Sequence, residues 1–117
     1  MTTDPSFSEA DARRVLDAID EREVVDFLRC LIQIPTVNPP GDVREAILLC
    51  SAPLNDVGFD LHIVALEETK PNLVALLGRG GPTLCFNAHV DVVPTGEKGA
   101  WSHAPFGAEI VDRRVYG

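Results

Sequence analysis

Basic residues are scarce in this chain. Ten Lys and Arg stand against 18 Asp and Glu, a net charge of -8, so the positive footprint that nucleic acid or an anionic membrane requires is missing. Cysteine is sparse as well. Cys30, Cys50 and Cys85 are an odd, scattered set with no Cys-x-x-Cys pair, which excludes a zinc knuckle or a dithiol redox motif. All three read as small buried apolar residues in a reducing compartment. No run approaches the ~20 apolar residues of a membrane span. Met1 to Ala10 lacks a basic stretch followed by an apolar one, so a signal peptide is not expected there and the cytoplasm is. Gly78-Arg79-Gly80-Gly81-Pro82 is rich in glycine, yet it lacks the Gly-Lys-Ser/Thr ending and following helix of a phosphate loop.

What is present is a chain of 117 residues, 45% hydrophobic, enough for one domain that buries roughly two-thirds of its unfolded surface. Residues 1 to 7 are expected to be a frayed tail. Ser8 and Asp11 then read as a capping box, with Ala12, Val15, Leu16 and Ile19 at the spacing of a short amphipathic helix whose apolar face is expected to pack in the core. Asp20 with Glu23 starts a second helix whose Val24, Phe27, Leu28, Leu31 and Ile32 are predicted to pack in the core. Ile34 to Gly41 cannot be helical, because Pro35, Pro39 and Pro40 remove donors and push the preceding residues toward extended backbone. It reads as a stiff connector without a chemical role. Asp42 and Glu45 offer a third capping box, leading a helix with Ile47, Cys50, Leu54 and Val57 as its buried stripe and Gly58 as its stop. Pro53 inside that pattern costs about 3 kcal/mol and predicts a kink or an early end.

Phe59 to Leu66 and Asn72 to Leu77 read as strands, with His62 on the polar face of the first. The Gly78 to Pro82 turn predicts that the second runs antiparallel to a strand starting at Thr83. Near-continuous apolar runs imply a sheet covered on both faces, with helices forming at least one cover. In the loop from Thr95 to Pro105, Trp101 with Phe106 is expected to pack the loop or line a cleft, and His103 is not assigned as a ligand. Gly107 to Val111 and Arg113 to Tyr116 read as two short strands around Asp112.

The stretch with chemistry in it is Thr83 to Pro94. Read as a buried strand, it places Leu84, Phe86, Ala88 and Val90 on one side and Cys85, Asn87, His89 and Asp91 on the other. Pro94 stops it. An imidazole and a carboxylate two residues apart then point the same way, and a neutral imidazole is a common zinc ligand whose tautomer a nearby carboxylate can fix. A cysteine hydrolase built on Cys85 and His89 fails on distance, since four residues of extended chain separate the two by about 13 Å.

Residues 87 to 94 resemble the first metal-binding motif of the M20 metallopeptidase family. Further matches are Ile34-Pro35-Thr36-Val37-Asn38-Pro39-Pro40-Gly41, Asn72-Leu73-Val74-Ala75, Trp101, Pro105-Phe106 and Val115-Tyr116-Gly117. Together they run from about Glu23 to the end of the chain. The resemblance implies an α/β fold, helices packed on a mixed sheet, as the opening part of a di-zinc exopeptidase-like catalytic domain. It also implies a zinc-dependent hydrolase of an amide bond in an N-acyl amino acid or small peptide-like substrate. By that resemblance His89 would bind one of two Zn2+ ions, with Co2+ as a substitute, and Asp91 would be the adjacent catalytic carboxylate. The family motif at Tyr116-Gly117 normally continues Arg-Gly and then reaches a bridging aspartate. The chain is therefore expected to be the amino-terminal part of the catalytic domain, without the dimerisation domain and inactive alone. The whole protein is expected to be a homodimer acting on a small molecule, with no nucleic-acid or membrane partner. Two departures stand out: Pro53 in a helix that is uninterrupted in the family, and Arg113 where many members have glycine, which puts the tight turn there in doubt. The alternative is a non-catalytic truncated domain serving as an interaction module or surviving as a gene remnant.

Overall fold

Side-chain oxygens next to unsatisfied backbone N–H groups mark where the first two helices begin. In the computed structural model, which describes residues 8–117, the Ser8 hydroxyl accepts from the Asp11 amide at 3.2 Å and Asp11 Oδ2 accepts from the Ser8 amide at 3.0 Å. That reciprocal box starts α1, Glu9–Asp17. The tail expected over residues 1 to 7 lies outside the described residues. Asp20 caps α2, Glu21–Ile32, by accepting from the Arg22 amide at 2.8 Å. The third box does not form. α3, Arg44–Asp56, follows Val43 with no side-chain cap. Asp42, one residue before Val43, accepts from the Arg44 amide at 3.2 Å and grips the Arg44 guanidinium with both oxygens, at 3.0 and 2.7 Å. α3 also runs through Pro53 to Asp56, so of the two expected outcomes the early stop does not occur. Pro53 stands in the final turn, where only one helical bond, to the carbonyl four residues back, is lost.

β1, Asp60–Val64, pairs antiparallel with β2, Asn72–Leu76, in a register that puts Leu61 opposite Ala75 and Ile63 opposite Leu73. These four share one face of the pleat, and α3 packs on this hairpin. β3, Glu109–Val111, and β4, Arg114–Tyr116, form a second antiparallel hairpin. Its two-residue loop has Asp112 at φ 49° and Arg113 at φ 62°, the left-handed pair of a type I′ turn. The tight turn thus forms without the family's glycine. The described residues make an α/β arrangement of three helices and two small antiparallel sheets, in place of the single mixed sheet expected.

Thr83 to Pro94 is not a strand. A strand exists only where its amides and carbonyls meet a neighbour. Apart from one parallel bridge, Val37 to Val92, nothing among the described residues pairs with this stretch. β2 takes β1 as its partner, and the chain leaves it through Gly78, Gly80 and Gly81, all with positive φ. The expected hairpin between β2 and Thr83 is absent, and Leu84 and Phe86 are 78% and 88% exposed.

Burial concentrates elsewhere. Thr36, Gly41, Val43, Ala46, Ile47 and Ala108 are buried, so the proline-rich connector and the start of α3 form the tightest packing in the fold. By contrast, Val15 and Leu16 of α1 and Val24 and Leu28 of α2 remain exposed, correcting their expected place in a core. Cys30 and Cys85 are exposed as well, and Cys50 is half-buried; burial pushes the Cys50 thiol up from its ordinary pKa. The Cα radius of gyration, 17.9 Å, exceeds the ~13 Å of a packed domain of this length. No helix among the described residues is long and apolar enough to cross a membrane.

Candidate functional site

The connector builds the site. Pro35, Pro39 and Pro40 keep residues 34 to 41 out of a helix, leaving Thr36, Val37 and Asn38 free to lie beside Val90 to Val92. Val92 donates its amide to the Thr36 carbonyl at 3.1 Å, and Asn38 donates its own to the Val92 carbonyl at 2.8 Å. The buried Thr36 hydroxyl donates to the Val90 carbonyl at 2.6 Å. Three hydrogen bonds therefore fix the backbone on both sides of Asp91.

His89 and Asp91 meet above this clamp. His89 Nδ1 lies 2.9 Å from the Asp91 carbonyl oxygen and 3.2 Å from Asp91 Oδ1. Both neighbours are acceptors, so the neutral ring carries its hydrogen on Nδ1 and keeps its lone pair on Nε2. Nε2 makes no hydrogen bond with the described residues, and the ring is 84% exposed. Asp91 Oδ2 accepts from Asn38 Nδ2 at 3.0 Å. Hydrogen bonding to Asn38, and then the charge and hydrogen bond of His89, hold the Asp91 carboxyl below its ordinary pKa.

A neutral imidazole with Nδ1 tied to a carboxylate and Nε2 free has the donor chemistry of a metal ligand with its orienting partner. The pair fits that one position. Among the described residues no group of three or more His, Cys, Asp or Glu converges, so they do not make up the three protein ligands of a catalytic zinc site. His89 borders two hollows. One, of about 580 Å³, is lined by Asn38, Ile47, Asn72, Phe86 and Asp91; the other, of about 440 Å³, by Leu31, Ile34, Val93, Trp101 and Phe106.

The other histidines are engaged elsewhere. His62 Nε2 lies 3.4 Å from Asp60 Oδ2 on the exposed face of β1. His103 Nδ1 lies 3.0 Å from Glu109 Oε2, and its ring sits 3.9 Å from that of Tyr116. Trp101 donates Nε1–H to the Thr95 carbonyl at 2.9 Å, pinning its own loop, while its ring also lines the second hollow. Sequence reasoning missed Asn38. Its place beside the motif depends on a contact between residues 53 apart, and the only local sign was a polar side chain inside a proline-rich stretch.

No protein-family model matches the chain. It is similar to succinyl-diaminopimelate desuccinylases: 41% identical over 97 residues to that of Rhodospirillum centenum, 45% over 92 residues to that of Gluconacetobacter diazotrophicus, and 37% over 97 residues to that of Rhodopseudomonas palustris strain HaA2. These alignments cover 80%, 76% and 80% of this chain and 25%, 23% and 24% of the relatives. The chain thus spans about a quarter of the length of the curated relatives it matches.

Proposed function

We propose that this chain supplies the first metal ligand, His89, and its adjacent carboxylate, Asp91, to a zinc-dependent hydrolase that removes an acyl group from an N-acyl amino acid. Succinyl-diaminopimelate, taken from the relatives' name, is the first substrate to test. The observation that carries the reading is the His89–Asp91 pair, with Nδ1 held by acceptors and Nε2 left open.

His89 would hold the metal through Nε2. When bound, zinc polarises an amide carbonyl and makes hydroxide available near neutral pH. Asp91 acts on the far side of the ring: it accepts the Nδ1 hydrogen, keeps the lone pair on Nε2 and raises that nitrogen's basicity. The 580 Å³ hollow beside the pair is large enough for a small substrate. Among the described residues no further ligands converge on His89, and we expect residues 1 to 117 alone to show no amidase activity.

The discriminating observation is the encoded sequence after Gly117. Arg-Gly-x-x-Asp there supports the hydrolase, and in that longer protein His89→Ala should lower bound zinc and succinate release together, because it removes the proposed metal-binding nitrogen. Full zinc occupancy in the variant would remove His89 from the metal. The second reading is a non-catalytic interaction module. The exposure of Leu84 and Phe86 favours it, and so would a stop codon after Gly117.

A further inference from the structure

The connector does more than join two helices. Val92 is bracketed by main-chain bonds to Thr36 and Asn38, which sets the Asn38 side chain beside Asp91 without any freedom of register. A carboxylate is planar, so fixing one oxygen directs the other. Asn38 Nδ2 holds Asp91 Oδ2 at 3.0 Å, and Oδ1 is left 3.2 Å from His89 Nδ1. Without Asn38, rotation about the Asp91 side chain would leave only the Asp91 main-chain carbonyl, at 2.9 Å, to hold the ring.

Gly41 clears the space in which this happens. It is buried, has φ 77° and donates its amide to the Val37 carbonyl at 2.9 Å. A Cβ at this position would lie 3.0 Å from Asn38 Cγ and 3.2 Å from Asn38 Oδ1. An alanine there would therefore be strained by the backbone and would push the Asn38 amide away from Asp91.

We propose that Asn38 is a positioning residue for the His89–Asp91 pair, orienting the Asp91 carboxylate so that it fixes the His89 tautomer, and that Gly41 is needed for Asn38 to reach it. The inference builds on the reading of His89 as a metal ligand, but its test uses the metal-free chain. The experiment records the ¹⁵N resonances of the His89 ring in the 117-residue protein, at a pH where the ring is neutral, and reads the ratio of the two tautomers. The wild-type ring should be mainly the Nδ1–H form. Asn38→Ala and the similarly sized Asn38→Asp, which has no donor when ionised, should each lower that ratio by about threefold or more. Gly41→Ala should do the same.

In an Asp91→Ala background, Asn38→Ala should add nothing. Backbone amide exchange at Asn38 and Val92 should stay near wild type in Asn38→Ala, because those bonds are main-chain; general loosening of the fold would move them. The inference is overturned if Asn38→Ala and Asn38→Asp keep the wild-type tautomer ratio, whether or not Asp91→Ala changes it. It is overturned too if the ratio falls only together with exchange protection at Val92. Zinc content of His89→Ala in the longer protein answers the separate question of whether His89 binds metal.

Discussion

The Thr36 hydroxyl donates to the Val90 carbonyl at 2.6 Å from a side chain that is 3% exposed. This bond ties the connector to the residue between His89 and Asp91. Thr36→Val keeps the shape and leaves a carbonyl without its donor. We expect a loss of about 1 to 3 kcal/mol, read as a lower urea midpoint, with faster amide exchange at Val92. Thr36→Ser retains the hydroxyl and should recover most of the loss.

Asp42 and Arg44 give a pH dependence with a definite sign. Hydrogen bonds from the Arg44 side chain and then its backbone amide hold the Asp42 carboxyl below its ordinary value of 3.8. A carboxyl whose pKa is lowered on folding contributes stability above its unfolded pKa and loses it as pH falls through the folded one. Arg44→Ala should therefore be less stable than wild type at pH 7. The gap should shrink once pH drops below about 3.8 and close below the lowered pKa. Urea midpoints measured across that range check this; a gap that persists at the acid end would assign the effect to packing.

Arg113 occupies the second left-handed position of the β3–β4 turn, at φ 62°. A side chain there carries a steric cost that glycine lacks, offset in part by glycine's greater freedom in the unfolded chain. Arg113→Gly should raise stability by up to about 1 kcal/mol, measured by thermal or urea unfolding. A loss of stability would mean that the Arg113 side chain makes contacts worth more than the strain.

Phe86 tests where the apolar stretch lies. It is 88% exposed, so Phe86→Ser should change the stability of the 117-residue chain by less than about 0.5 kcal/mol. A cost of several kcal/mol, the range for truncating a buried phenylalanine, would show that residues 83 to 88 are packed after all.

Local chemistry was legible in the sequence wherever neighbours in the chain are the cause. Ser8 with Asp11 and Asp20 mark the helix starts, Gly58 ends α3 with φ 86°, and proline keeps the connector out of a helix. The same local logic failed in part at Asp42: its carboxylate accepts from the amide of Arg44, the first residue of α3, at 3.2 Å and also grips the Arg44 guanidinium, but it does not form the expected box with Glu45. It failed more widely for burial. Helical periodicity shows which side of α1 and α2 is apolar, but whether anything covers that side depends on residues distant in the chain, and Val15, Leu16 and Val24 are left open.

His89 and Asp91 were readable as a pair because two residues of extended chain are enough to bring an imidazole to a carboxylate. The sequence by itself determined that much, together with the helix starts and the acidic character that disfavours nucleic acid. Only the tertiary structure decided that the stretch holding the pair is fastened by the connector and not by a sheet, and that Asn38 is the group on Asp91. Hydrogen bonds of that kind join residues more than fifty apart, and no local pattern encodes which distant donor reaches a given oxygen.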